Sequence, residues 1–422
     1  AAGLRRPALL GEAVKSVLRP ARAEAQRVFR DPGALLVLVG AIFLYSFFYP
    51  IPYLPQVLRE VPVAVVDQDR TALSRQLVRM ADAHSLLRVA ERPVTLAEAE
   101  SLVSAGRVGG VLVVPGGFGR DVQGGMKARV GVFADASYFL VYRQVLTGLA
   151  EAVGTFSAGV EIRRLQALGM PEAKARAFRD PLPLVTRPLF NPAEGYATYV
   201  VPGVLILILQ QTLLIGIGLR GAADLGALGS GPLLARSAAS VAGRSLAFVL
   251  LYAVHAVFYF GIVARVFGFP VRGGGLAAAA LVLPFLLATS FLGLALSVLF
   301  ARREMAIQAL LFTSLPAIFL AGFSWPPEAM PAWLRVVSQA IPSTSAIPAL
   351  LRVNQAGATL SQVRSEIAVL WGLAVAFFVL AVLAQAARAR RAGRASAAEA
   401  FAEERERLPP PSEAPLALEE LP

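Results

Sequence analysis

The stretch "GALLVLVGAIFLYSFFY", Gly33 to Tyr49, decides how the rest of the chain is read. It follows a leader that carries Arg5, Arg6, Lys15, Arg19, Arg22, Arg27 and Arg30, the charge pattern that also precedes a secretory signal. What comes after it is "PIPYLPQVL", Pro50 to Leu58, with no small-residue cleavage site, and the basic leader is too long for a signal. The stretch is therefore read as a retained membrane anchor.

Composition agrees. Of 422 residues, 56% are hydrophobic and 16% charged, and mean hydropathy is +0.62, whereas an ordinary soluble domain has about a quarter of its residues charged. Cysteine is absent, which excludes a disulfide framework and any thiolate metal site, and two histidines, His84 and His255, are too few for a histidine-rich metal cluster. The net charge of +12 raises the question of nucleic acid, but the arginines gather beside apolar runs, where the positive-inside rule puts them. No nucleic-acid partner is expected. Lysine occurs only at Lys15, Lys127 and Lys174 amid abundant arginine and alanine, the usage of a bacterium with a GC-rich genome.

A membrane-crossing helix needs about 20 mostly apolar residues, and six windows come near this: 33–49, 198–220, 245–267, 276–300, 305–323 and 366–387. The basic N-terminus, the loop 221–244, "ARRE" (Ala301 to Glu304) and "ARARRAGR" (Ala387 to Arg394) should lie in the cytosol. Arg265 and Arg272 fall on the other side and are outweighed. The expected fold is a polytopic α-helical membrane protein with six transmembrane helices and an inserted α/β (α+β) extracytoplasmic domain, 50–197. Both termini are then cytosolic, in a bacterial inner membrane. In the leader, 1–32, Val14, Val17, Leu18, Ala21, Ala25 and Val28 share one helical face, so it is expected to lie on the inner leaflet against anionic lipid, with Pro20 kinking or splitting it. The end, 388–422, is basic and then charged and proline-rich, as in disordered tails.

Within 50–197 strands and helices alternate. "VPVAVVDQD" (Val61 to Asp69) reads as a buried strand, and "RTALSRQLVRMADA" has helical spacing. "LLRVAE", "TLAEAESLVSAG", "VGGVLVVP", a short helix and "KARVGVFAD" repeat the alternation, which predicts a layer with strands partly parallel. Ser137 to Leu168 reads as a long helix, and "PLPLVTRPLFNP", Pro181 to Pro192, as an extended strand leading back to the membrane.

Catalytic motifs are missing. "GRDVQGGMK" (Gly119 to Lys127) fails the phosphate-loop pattern because Met126 separates glycine from lysine, and it falls on the wrong side of the membrane for ATP. There are no histidines at metal spacing and no Gly-x-Ser-x-Gly elbow. The chain is expected to be no enzyme and to bind no cofactor. Polar residues inside spans are Gln210, Gln211 and His255, which either hydrogen-bond neighbouring helices or line a path or dimer seam. No acidic residue lies mid-span, which disfavours a carrier driven by an ion gradient. "AGFSWPPEAMPAWLRVVSQAIPSTSAIP", Ala321 to Pro348, leads into two short helices within 324–365. These are expected to re-enter the membrane as an outer gate carrying Trp325, Trp333, Pro342, Ser343 and Thr344, the alternative being an ordinary outer loop.

The chain resembles permease subunits of ABC-2 type ABC transporters, in the subgroup with a large extracytoplasmic domain between the first two spans. The residues that carry the resemblance are "RVFRDPGALL" (Arg27 to Leu36), "VPVAVVDQDRTALSRQLV", "VGGVLVVPGGFGRDV", "FNPAEGYATYVVPGVL" (Phe190 to Leu205), and "GFSWPPEAMPAWL" followed by "IPSTSAI". The resemblance implies export by a homodimer, or a heterodimer with a related permease, driven by ATP-Mg on two cytosolic ATPase subunits, with a periplasmic adaptor as a further partner. It implies that the leader and the loop 221–244 dock the ATPases, with Arg27, Arg30, Asp31, Arg220, Asp224, Leu225, Leu228 and Arg236 as candidates. Where the family often has Arg-Glu-x-x-x-Gly-Thr after the second span, this chain reads "LRGAADLGALGSGPLLAR", keeping only Arg220. A membrane receptor or scaffold that moves nothing is the alternative function.

Overall fold

The computed structural model describes residues 5–221, 232–322 and 324–407, with side chains between 14 and 396. Asp224, Leu225 and Leu228 lie outside the described residues. Helix α1 (Arg5–Arg30) runs unbroken through Pro20. Its buried stripe is Pro20, Ala21, Glu24 and Val28, while Val14 and Leu18 are exposed. The stripe is thus turned from the expected apolar face, because α1 packs against a later helix, Leu233–Val257, rather than standing alone. Asp31 then caps α2 (Pro32–Leu35), its Oδ1 accepting from the N–H groups of Gly33 (3.1 Å) and Ala34 (3.2 Å), with proline at the first helical position. The helix continues through a π segment, Leu36–Gly40, into α3 (Ala41–Phe48).

Residues 55–188 form a compact unit of their own. Its elements are β1 (Val61–Asp67), α4 (Ala72–Asp82), β2 (Leu87–Glu91), α5 (Leu96–Ser104), β3 (Gly110–Val114), α6 (Phe118–Gln123), β4 (Gly131–Ala134), α7 (Phe139–Ala167) and α8 (Glu172–Arg179). The sheet order is β2-β1-β3-β4; β1 runs parallel to β2 and β3, and β4 antiparallel to β3. Thr71 and Thr95 cap α4 and α5 through their hydroxyls. Alternate residues of a strand face opposite sides. Accordingly Val61, Val63 and Val65 pack with Leu77, Val78 and Leu149 under α4 and α7, while Ala64 and Val66 pack with Ala99 of α5. Burial on both faces is why β1 is apolar at nearly every position. Gly148 lets α7 approach the sheet: a Cβ there would lie 2.7 Å from Leu87 Cγ. The expected strand at 181–192 does not form, and Leu182 and Leu184 are each 87% exposed.

The other unit joins residues 1–54 to 189–422. Its later helices are α9 (Tyr196–Arg220), α10 (Leu233–Val257), α11 (Ala264–Val266), α12 (Gly275–Leu296), α13 (Arg303–Phe312), α14 (Ser314–Leu320), α15 (Ala332–Ser338), α16 (Pro342–Ala356) and α17 (Arg364–Arg407). A π segment, Phe258–Val263, joins α10 to α11. α9 is buried on nearly all sides, which explains why it is apolar all round, and α12 packs against α9, α10, α16 and α17. Two expected boundaries shift. Leu233 to Arg244, expected in a loop, are the first turns of α10, which packs against α1 at Gly243. The window 305–323 is two helices that break at Thr313, whose hydroxyl bonds to the Leu310 carbonyl. Among the described residues seven helices are long and apolar enough to cross a membrane, and one of them, α7, buries its apolar side on the sheet.

The α1–α10 contact depends on Gly243, where a Cβ would lie 2.3 Å from the Val17 carbonyl oxygen and 2.9 Å from Pro20 Cβ. Gly243→Val is expected to lower the thermal midpoint of the detergent-solubilised chain by several degrees. Gly372→Val, where a Cβ meets nothing within 4 Å, should leave it unchanged; equal midpoints for the two variants would refute the contact.

Candidate functional site

A buried cluster of charges holds the leader to three helices. Glu24 on α1 is 2% exposed and Arg244 on α10 is 4% exposed. Arg244 Nε donates to Glu24 Oε2 at 2.9 Å, and its Nη2 donates to the Gly221 carbonyl at 2.8 Å. Arg220, at the end of α9, donates from Nε to Glu24 Oε1 (3.4 Å) and from Nη1 to Asp31 Oδ2 (2.8 Å). Arg303, at the start of α13, also donates to Asp31 Oδ2, and its Nε reaches the Leu219 carbonyl at 3.1 Å. Three guanidiniums thus meet two carboxylates, and two of them also meet carbonyls at the C-terminal end of α9, where positive charge is favourable. Asp31 serves both the α2 cap and the cluster, one oxygen for each.

Of the coupling candidates, the structure brings Asp31 and Arg220 together. Arg27 and Arg30 point away, exposed and without an ion pair among the described residues, and Arg236 is half-buried on the first turn of α10. Glu24, Arg244 and Arg303 were not singled out from the sequence. The usable signal was Glu24: an acidic residue among the apolar positions of an amphipathic helix.

A second constellation joins the path candidates to the gate candidates. Gln210 Oε1, on α9, accepts the Ser343 N–H at the start of α16 at 2.9 Å. At the other end of α16, Gln355 Nε2 donates to the Thr198 carbonyl at 2.6 Å. The twelve steps from Ser343 to Gln355 and the twelve from Thr198 to Gln210 each rise about 18 Å, so α16 lies antiparallel along α9 with its N-terminus at mid-helix. Pro342, Ser343 and Thr344 are buried there, and the Thr344 hydroxyl donates to the Leu320 carbonyl at 3.3 Å. Trp325 and Trp333 are exposed, the latter on α15.

His255 packs edge-on against Tyr252 (5.1 Å between centroids) and Phe43 (6.1 Å), and its Nδ1 is buried without a hydrogen-bond partner among the described residues. Phe43 also meets Phe258 of the second π segment at 4.9 Å. Gln211, Thr289, Ser290 and Gln385 likewise have buried side-chain polar atoms without hydrogen-bond partners among the described residues. Among the described residues no three histidine or carboxylate side chains gather as a metal set.

Removing one member of a buried ion pair costs about 3–5 kcal/mol, while replacing both by apolar groups is often neutral. Glu24→Ala and Arg244→Ala are each expected to cause a loss in that range, and Glu24→Leu with Arg244→Met to recover most of it, read by unfolding of the whole chain in detergent; additive losses would deny the coupling. For the α16 cap, Gln210→Leu should cost about 1–3 kcal/mol by orphaning a buried N–H. In the same assay Gln211→Leu should be neutral or stabilising, and equal effects would refute the cap.

Comparison with known proteins now bears on this geometry. The family model described as ABC-2 family transporter protein matches residues 33–383. The chain is 24% identical over 348 residues to "Probable multidrug ABC transporter permease YbhS" of Escherichia coli (strain K12), covering 79% of this chain and 87% of that protein. It is also 24% identical over 361 residues to "Inner membrane transport permease YhhJ" of the same strain, covering 83% and 91%. A family match that runs from the start of α2 into the last long helix is decisive: the chain belongs to the ABC-2 family of transporter proteins.

Proposed function

We propose that the chain is the membrane subunit of an ATP-driven exporter, powered by separate cytosolic ATPase subunits that bind the ATP-Mg. Family membership and the relatives' names, both permeases, support a transport subunit of a bacterial inner membrane. The observation that carries the rest is the buried Glu24–Arg244–Arg220–Asp31–Arg303 cluster. It fastens α1 to the end of α9, the middle of α10 and the start of α13, so a push on α1 is delivered to three helices. Exposed Arg27 and Arg30 give an ATPase a charged surface to hold on that same helix.

In this reading the arginine-rich end faces the cytosol, by the positive-inside rule. Six helices span, because α7 spends its apolar side on the sheet, and the α/β unit lies outside the cytoplasm. The buried start of α16 supports a re-entrant outer gate: such a helix end is tolerated at membrane depth only where protein satisfies its backbone, as Gln210 does. Two copies, or one copy with a related permease, enclose the path, and partnerless polar groups in the helical unit, such as those of Thr289 and Gln385, suit a path that admits polar groups. The word "multidrug" in one relative's name favours an amphiphilic, drug-like or lipid-like substrate.

The purified chain alone should hydrolyse no ATP. Co-expressed with a neighbouring ATPase gene, it should co-purify and move an amphiphilic dye into inverted vesicles only with ATP. Arg27→Glu with Arg30→Glu should reduce both co-purification and ATP-driven transport at least tenfold at unchanged thermal midpoint. Absence of ATP-dependent transport with every adjacent ATPase would favour the receptor or scaffold instead.

A further inference from the structure

The α/β unit contains a cavity of about 460 Å³ beyond the C-terminal ends of the parallel strands β1 and β2, walled by one side of α4 and the segment that follows β2. Its volume is that of a small-molecule site, about 300–1,000 Å³. Four arginines line it: Arg70 after β1, Arg75 and Arg79 on α4, and Arg92 after β2. None of the four forms an ion pair among the described residues. Among the described residues the one hydrogen bond of their side chains is internal, Arg75 Nη1 donating to the Arg70 carbonyl at 2.6 Å.

The carboxylates that might neutralise them are occupied. Asp67, the acid in the lining, accepts the N–H groups of Asp69 (3.1 Å) and Arg70 (2.9 Å) on Oδ1 and the Ser74 hydroxyl (2.8 Å) on Oδ2. Nearby, Asp69 holds Gly119 N–H, Asp82 holds Val89 N–H, Glu98 holds Val94 N–H, and Glu91 pairs with Arg107. Like charges at i and i+4, such as Arg75 and Arg79, repel on a helix. All four arginines are exposed to solvent, which screens their mutual repulsion, but with the one carboxylate of the lining committed they leave the cleft positive, a field that attracts an anion. Guanidinium forks match phosphoryl oxygens two at a time, and Val65 and Val78 supply an apolar wall beside them.

We propose that this cavity binds a phosphoryl group, carried either by a phospholipid headgroup or by a soluble phosphorylated molecule. The site is separate from the ionic cluster of the helical unit and does not rest on the transport reading.

The test uses the full chain in dodecyl maltoside and isothermal titration with two probes, inorganic pyrophosphate and short-chain dihexanoyl phosphatidylglycerol. At least one should bind, and Arg79→Gln with Arg92→Gln should weaken it at least tenfold at unchanged thermal midpoint. Arg129→Gln removes the same kind of charge just before β4, at the opposite sheet edge, and should change it less than twofold. Tighter pyrophosphate binding assigns a soluble ligand; tighter phosphatidylglycerol binding, with displacement of pyrophosphate, assigns a headgroup. The proposal is overturned if neither probe binds, if the double variant stays within twofold of the parent, or if Arg129→Gln weakens binding as much as the double variant.

Discussion

The Glu24–Arg244 pair is the constraint on which the helical unit depends. Taking two charges from water costs several kcal/mol per ion, and their attraction repays this only in one geometry with the remaining donors satisfied. The pair therefore fixes the register of α1 on α10, and Gly243 beside it lets the backbones approach closely enough to form it. In lipid there is no hydrophobic drive between helices, so small residues and interhelical polar contacts set the packing. Through Arg220, Asp31 and Arg303 the ends of three further elements refer to the same point.

The second organising element is α9, apolar on every side because helices surround it. Its polar interruptions divide the work unequally. Gln210 completes the backbone of α16, Thr212 accepts the Tyr252 hydroxyl at 3.0 Å and so ties α10 to α9, and the Gln211 amide has no hydrogen-bond partner among the described residues. Two adjacent glutamines of one motif thus differ completely in role, because successive residues on a helix point about 100° apart.

Much of this was readable from the chain. The apolar windows became helices, the β1 run became a strand covered on both faces, and the partly parallel sheet formed as expected. The misplaced features share a cause. The face of α1, the start of α10 and the failure of 181–192 to form a strand all depend on what lies opposite, which local pattern does not contain. α10 begins at Leu233, within residues expected to be a loop, and packs against α1 through Gly243, a contact that local pattern does not contain.

Length and hydropathy are local properties, so the sequence by itself determined that there are membrane helices, where most of them lie, and that a strand-helix unit is inserted among them. Which charge meets which was decided by tertiary structure. Glu24 finds Arg220 and Arg244 across 196 and 220 residues, and Asp31 finds Arg303 across 272. No spacing rule spans such distances; only helices packed side by side bring these groups together, and the cost of burying charge then selects the partners that satisfy it.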